Sequence, residues 1–307
     1  MPGSIPGWQY ECDGMTVDVQ LTDLGSRAAP RQGRRLRAFL RNPTFIAGAV
    51  ILGFFVFLAL FADWICPGDP QDMVAQPVLW PGQDMQFPLG TDSLGRDVLS
   101  NLVHGARASL LVGVAAASIG LAIGMVVGAV AGFFGGRVDA LLMRLVELFQ
   151  TTPTFLLVVV IVAIREPSLS TIALAIGLAS WPTVARLVRA QFRSLREADF
   201  VMAARSLGYS STRIIVQEIL PNALPPVIVA ASVMIANAIL TEAGLSFLNM
   251  RDANVVSWGG MIGDGRDLLR TAWFLTALPG AAIALAVLSL NLVGDGLNEI
   301  LNPRNEP

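Results

Sequence analysis

Residues 200–226 read FVMAARSLGYSSTRIIVQEILPNALPP. The stretch is polar, carries Arg205, Arg213 and Glu218, and is punctuated by Gly208, Pro221, Pro225 and Pro226. Apolar runs at 169–188 and 223–248 frame it, each long enough to cross a bilayer. Residues 198–207 have the pattern of a short helix. Gly208 supplies the left-handed backbone that ends a helix, and the hydroxyl of Ser210 or Ser211 can cap a second one. A helix–Gly–helix hairpin pushed out of a membrane is a rigid knob, suited to a groove on another protein.

Composition supports the membrane setting. The 307 residues are 54% hydrophobic and 14% charged, whereas a soluble domain carries about 25% charged residues. The net charge of −2 excludes a strongly basic nucleic-acid binder. All 21 cationic side chains are Arg. A phosphate-binding P-loop needs a Lys, so ATP hydrolysis falls outside this chain. His104 has no second His or Cys near it in sequence, and no metal site is expected.

The hydropathy pattern predicts an all-α membrane protein with six spans, at 44–64, 110–134, 138–164, 169–188, 223–248 and 275–293. Residues 1–41 form a polar tail whose cluster Arg27, Arg31, Arg34, Arg35, Arg37 and Arg41 places that end in the cytoplasm. The same cluster attracts anionic lipid. Six spans put the C-terminus and the knob on the cytoplasmic side as well. Cys12 and Cys66 then lie across the membrane from each other and do not pair. No cleavable signal peptide is visible. From Ser93 onward, Leu94, Val98, Leu99, Leu102 and Val103 recur at helical spacing, which predicts an amphipathic helix along the outer face. The expected division is a tail over 1–41, a first span with its external loop over 42–105, a permease core over 106–300 containing the loop 198–222, and a short tail over 301–307.

Within the spans, Gly120, Gly124, Gly128 and Gly132 repeat every four residues, the spacing that lets two helix backbones approach closely in lipid. Arg144 and Glu147 are placed to pair on one helix face, and Pro153 kinks the third span. Arg186, Arg189, Arg193 and Arg196 step along one face toward the knob, either anchoring to phosphates or orienting the loop. Asn237, Thr241 and Glu242 are the polar points of the fifth span; intramembrane polar groups face a bundle interior or a pathway. For Asn237 both readings stand, a pathway group or a link between helices.

The knob resembles the cytoplasmic loop signature of bacterial ABC importer permeases, in which Glu-Ala-Ala is followed by Gly and then Leu-Pro. Ala203, Ala204, Gly208, Leu220 and Pro221 fall in place, Met202 stands where Glu is usual, and Ile219 sits one residue late. Residues 87–113 resemble the dipeptide/oligopeptide branch, through Pro88-Leu89-Gly90-Thr91-Asp92, Gly95-Arg96-Asp97-Val98-Leu99-Ser100 and Gly105-Ala106-Arg107. Residues 135–157, GGRVDALLMRLVELFQTTPTFLL, follow the same pattern. So do Ser257-Trp258-Gly259, Asp264-Gly265-Arg266, Gly294-Asp295-Gly296-Leu297 and Asn302-Pro303-Arg304, with Asn249 where Gly is usual. The resemblance implies an inner-membrane permease for di- or oligopeptides, with Ala203, Ala204, Gly208, Ile219, Leu220 and Pro221 in an ATPase-coupling loop. It implies a second homologous permease, two ATPase subunits holding ATP and Mg, and an extracytoplasmic solute-binding protein. Nickel or glutathione import is the alternative within the family. A proton-coupled secondary transporter, needing midplane charge, and a membrane scaffold are the alternatives outside it.

Overall fold

A computed structural model describes residues 42–301. The arginine-rich tail 1–41 with Cys12, and Asn302-Pro303-Arg304, lie outside the described residues. Among those described, the regular structure is helical, with a single isolated bridge between Thr91 and Asp97.

The first helix, α1 (Pro43–Leu60), starts where Asn42 Oδ1 accepts from the Thr44 and Phe45 N–H groups. A short turn, α2 (Ala62–Ile65), follows. The next helix, α3 (Val98–Phe134), is 37 residues long, about 55 Å at 1.5 Å per residue. Its Asp97 cap accepts from the Leu99 and Ser100 N–H groups. No separate amphipathic helix starts at Ser93: Leu94 lies before the cap and is exposed, and residues 98–109 belong to the spanning helix itself. The expected boundary at 105/106 therefore falls inside an unbroken helix. Gly105 is buried there, and a Cβ on it would meet the Trp258 ring at 3.0 Å.

Against α3 packs α6 (Leu169–Arg196). The four glycines mark the seam. A Cβ on Gly124 would lie 2.5 Å from Val184 Cβ and 2.8 Å from the Trp181 carbonyl; one on Gly132 would lie 2.7 Å from Phe192 Cβ. Gly120 and Gly128 meet the same helix at Ser180 and at Ala185 to Arg189. Without a solvophobic drive between helices in lipid, such backbone proximity supplies the dispersion contact that joins them.

Gly135 and Gly136, at φ 66° and 55°, turn the chain into α4 (Gly136–Thr151). Asp139 of α4 takes a bidentate pair from Arg189, 2.6 Å at Nη2, and Arg196 donates to the Phe133 carbonyl at 3.1 Å. Part of the arginine stripe thus ties α6 to this corner. Arg144 and Glu147 are both exposed and form no ion pair. The third span is not continuous either. Pro153 brings no N–H and clashes with the preceding turn, and α4 meets α5 (Thr154–Ile164) at a bend of 82°. With 11 residues, α5 spans only about 16 Å of a core about 30 Å thick. Among the described residues five helices are long and apolar enough to cross a membrane, six if the bent pair α4–α5 is counted as one broken span.

The chain next forms α7 (Asp199–Ser206) and then α8 (Ser211–Phe247). Residues Ile214–Ile219 of α8 are wound as a π-helix, so Leu220 N–H reaches back five residues to Ile215. Pro221 explains the widening, since its ring would strike the Gln217 carbonyl in a regular turn. At the far end of α8, Asn249 has φ 60°, and the N–H groups of Asn249 and Met250 return to Ser246 and Leu245. A left-handed helix stop explains why Gly, or Asn as the next most tolerant residue, suits this position.

Loops 66–97 and 249–273 form a cap at the opposite end of the bundle from α7. Gln71 donates to the Ala253 carbonyl, and Trp80 packs on Phe274 with 5.4 Å between ring centroids. Within the cap, α9 (Trp258–Gly265) drives Trp258 into the core, where its Nε1 donates to Leu102 and Phe55 packs edge-on at 5.2 Å. The last helix, α10 (Phe274–Leu301), lies along α1, with Gly48 and Gly296 at the points of closest approach.

Candidate functional site: the hairpin at 199–213

The hairpin is built by local rules. Gly208 has φ 79°. Its N–H donates to Arg205 O at 2.9 Å, and Tyr209 N–H donates to Ala204 O at 3.1 Å. These are the two bonds of a Schellman stop. Ser210 Oγ then accepts from Arg213 N–H at 3.4 Å and starts α8. The Arg213 guanidinium lies 3.8 Å from the Tyr209 ring centroid and donates to Gln217, so the turn is braced across its outer side.

Packing then fixes how the hairpin stands. Val201, Ala204, Ile214 and Ile219 are buried against Phe133, Val184, Val188 and Phe192. Phe200, Met202, Ala203 and Leu207 are exposed, Leu207 at 74%. One short helix therefore has an anchored apolar face and a second, uncovered one. Of the residues expected in the loop, Ala203, Gly208 and Pro221 are exposed and Leu220 is half-buried. Ala204 and Ile219 point into the anchoring cluster, at 5% and 0% exposure. Their small or branched shape serves attachment of the knob rather than its outer surface. Phe200 and Leu207 were not singled out by sequence reasoning. Their signal was apolar side chains on both sides of an eight-residue helix, more than anchoring alone requires.

The two polar residues of α8 separate. Asn237 is exposed, and its carbonyl accepts from Thr241 Oγ1 at 2.7 Å. Glu242 is buried at 1%. Its Oε1 accepts from Ser246 at 2.8 Å and from Ser257 at 2.7 Å, and Oε2 has no hydrogen bond. Ser257 in turn caps α9 by accepting from Gly260 N–H. Glu242 therefore holds the cap onto α8, and the two residues do not share a face. Among the described residues no group of three His, Cys, Asp or Glu could hold a metal ion.

With this geometry in view, comparison with known proteins is specific. Residues 120–307 match the family described as binding-protein-dependent transport system inner membrane component. Residues 33–84 match the N-terminal TM domain of oligopeptide transport permease C. The chain is 40% identical over 274 residues to the di/tripeptide transport system permease protein DppC of Pseudomonas aeruginosa, covering 87% of this chain and 90% of that one. It is 41% identical over 272 residues to the dipeptide transport system permease protein DppC of Escherichia coli, covering 87% and 91%. Among solved structures, an inward-facing form of the MetNI methionine ABC transporter superposes with TM-score 0.55 at 18% identity, covering 66% of this chain and 96% of that one.

Proposed function

This chain belongs to the binding-protein-dependent transport system inner membrane components, and we propose that it is the permease subunit through which an ATP-driven importer passes di- and oligopeptides. The substrate reading is supported by the names of relatives at about 40% identity over most of the chain. The observation that carries the coupling role is the hairpin at 199–213, fastened on one side and uncovered on the other.

The hairpin sits in a groove on an ATPase subunit, with Leu207, Met202 and Ala203 in contact and Gly208 keeping the turn tight. A second homologous permease completes the pathway, Asn237 lines it, and two ATPases hold ATP and Mg. The end carrying the hairpin also carries Arg137, Arg186, Arg189, Arg193, Arg196 and Arg213, which favours the cytoplasmic side. Closure of the ATPase pair moves the hairpin. Because α7 is seated on the ends of α3 and α6, motion passes into the helices as rigid bodies. The ATP-bound ATPases and the loaded binding protein must both bind the outward-open state more tightly, since a ligand shifts an equilibrium only by its differential affinity.

The test is uptake of a radiolabelled dipeptide into proteoliposomes containing the full complex and its binding protein. ATP-dependent uptake insensitive to protonophore is expected. Uptake driven by a proton gradient without ATP would refute the proposal in favour of secondary transport.

A further inference from the structure

Helix α4 has three faces. The first is anchored: Asp139 pairs with Arg189, and Val146 is buried against Trp181 and Ala185 of α6, with Ile123 and Val127 of α3 packed on the same cluster. The second is an uncovered apolar stripe, Val138, Leu141, Leu145 and Leu148, with Leu141 at 71% exposure. The third is Arg137, Ala140, Arg144, Glu147 and Thr151, stepping by three and four residues and exposed throughout. Side chains at that spacing are neighbours on one helix surface. Among the described residues, Arg144 and Glu147 make no hydrogen bond or ion pair with each other or with anything else.

Their depth makes this unusual. The apolar run of α3 covers 110–134, and Ile123 lies about 20 Å from one end of it and about 16 Å from the other at 1.5 Å per residue. Val146 shares a cluster with Ile123 and Val127, so Glu147, the next residue, is at the depth of the hydrocarbon. A charged side chain there faces water or a partner rather than lipid. Arg and Lys can snorkel to an interface on their long stems; the short Glu side chain cannot cover that distance. The apolar stripe is the face that lipid or a neighbouring helix covers, and the polar face is left for water and a charged guest. A dipeptide carries an ammonium and a carboxylate about 7 Å apart, the length of two extended residues. Residues three apart on a helix have Cβ atoms about 5–6 Å apart. Glu147 accepts from the ammonium, and the Arg144 fork donates to the carboxylate. Both contacts are with peptide termini, so the side chains of the guest stay free to vary.

We infer that Arg144 and Glu147 form a transit subsite inside the membrane for the two charged ends of a dipeptide, so that α4 recognises the zwitterion and not a particular side chain. The inference rests on the importer reading above, which supplies the peptide. The subsite lies at mid-membrane depth, so docking of the binding protein and ATP hydrolysis in its absence are separate readouts.

The experiment uses the complete complex in proteoliposomes with saturating binding protein, loaded with a dipeptide whose second residue is photoleucine. Illumination during turnover is expected to attach the peptide to residues 140–151, as mapped by mass spectrometry. Glu147→Gln and Arg144→Gln are each expected to lower both that labelling and the uptake rate by at least about tenfold, the loss of one charge-assisted hydrogen bond. Glu147→Asp, which keeps the charge, should retain labelling, and all three variants should bind the binding protein and hydrolyse ATP in its absence at the parent level. Parent-level uptake in both neutral variants, or label that never falls on α4 in a complex that transports the peptide, would overturn the subsite and leave the importer reading standing. Lost uptake with labelling of α4 undiminished would overturn it too, assigning the pair to a contact with the second permease. A parent complex without ATP-dependent uptake would overturn both readings.

Discussion

Substitution of Gly208 isolates the hairpin's turn from everything around it. An ideal Cβ at this position meets nothing within 4 Å, and φ is 79°. An Ala there gains no clash, and its penalty is conformational, about 1–2 kcal/mol for an L-residue held in the left-handed region. At 1.4 kcal/mol per tenfold, the turn should open about 5–30 times more often. The anchor is stronger than that penalty: Val201, Ile214 and Ile219 are fully buried or nearly so, and burial of each such side chain stabilises by about 1.5–3 kcal/mol. The hairpin should therefore loosen in Gly208→Ala without leaving its seat. Gly208→Asn should fall between parent and Ala, because Asn tolerates left-handed backbone. Gly208→Pro should open the turn altogether, since the ring fixes φ near −65° and removes the N–H that bonds Arg205. Hydrogen exchange of peptides covering 199–213 in nanodiscs measures the opening, and peptide transported per ATP hydrolysed measures its consequence. Equal exchange in parent and Ala forms, or an Asn form as open as the Pro form, would refute the argument that backbone conformation at this one residue holds the knob together.

Two further predictions concern the seam and the outer face. Gly124→Ala puts a methyl 2.5 Å from Val184 Cβ and should destabilise by about 1–3 kcal/mol through overpacking, lowering Tm in detergent. Gly53→Ala, with nothing within 4 Å, should leave Tm unchanged or raise it; equal effects at the two sites would sink the close-packing account. The Cys66 thiol is pushed above the ordinary thiol range, first by burial and then by the Asp97 carboxylate. Only the thiolate reacts, so in a Cys12→Ser chain the pH midpoint for labelling Cys66 with an impermeant maleimide should lie above that of free cysteine. A midpoint at or below it would contradict the environment described.

Legibility from sequence varied with the range of the interaction involved. Helix stops were readable because a few adjacent residues decide them: Gly208 and the Ser210 cap define a turn wherever the chain is placed. Asn249 was visible only as a departure from a pattern, until its positive φ gave the reason. The four glycines were readable as a packing stripe, but which helix they meet was not, because Val184 and Phe192 lie more than fifty residues away. Arg144 and Glu147 had the right spacing to pair and do not, since spacing permits a contact without supplying a partner geometry. Asp139, unremarked in the sequence, holds Arg189. The amphipathic run after Ser93 predicts a helix along the outer face because a change in polarity resembles an end; Asp97 instead caps one helix that continues through the change.

What this chain's residues dictate by themselves is the apolar length of each span, the places where backbone must turn left-handed or lose an N–H, and the absence of any lysine for phosphate chemistry. These follow from side chains and dihedrals within a turn or two. The fold alone decides that Ala204 faces inward while Ala203 faces out, and that Glu242 clasps the cap and Asn237 does not. Those outcomes depend on which distant helix occupies the neighbouring space, and long-range packing is a property of the assembled bundle.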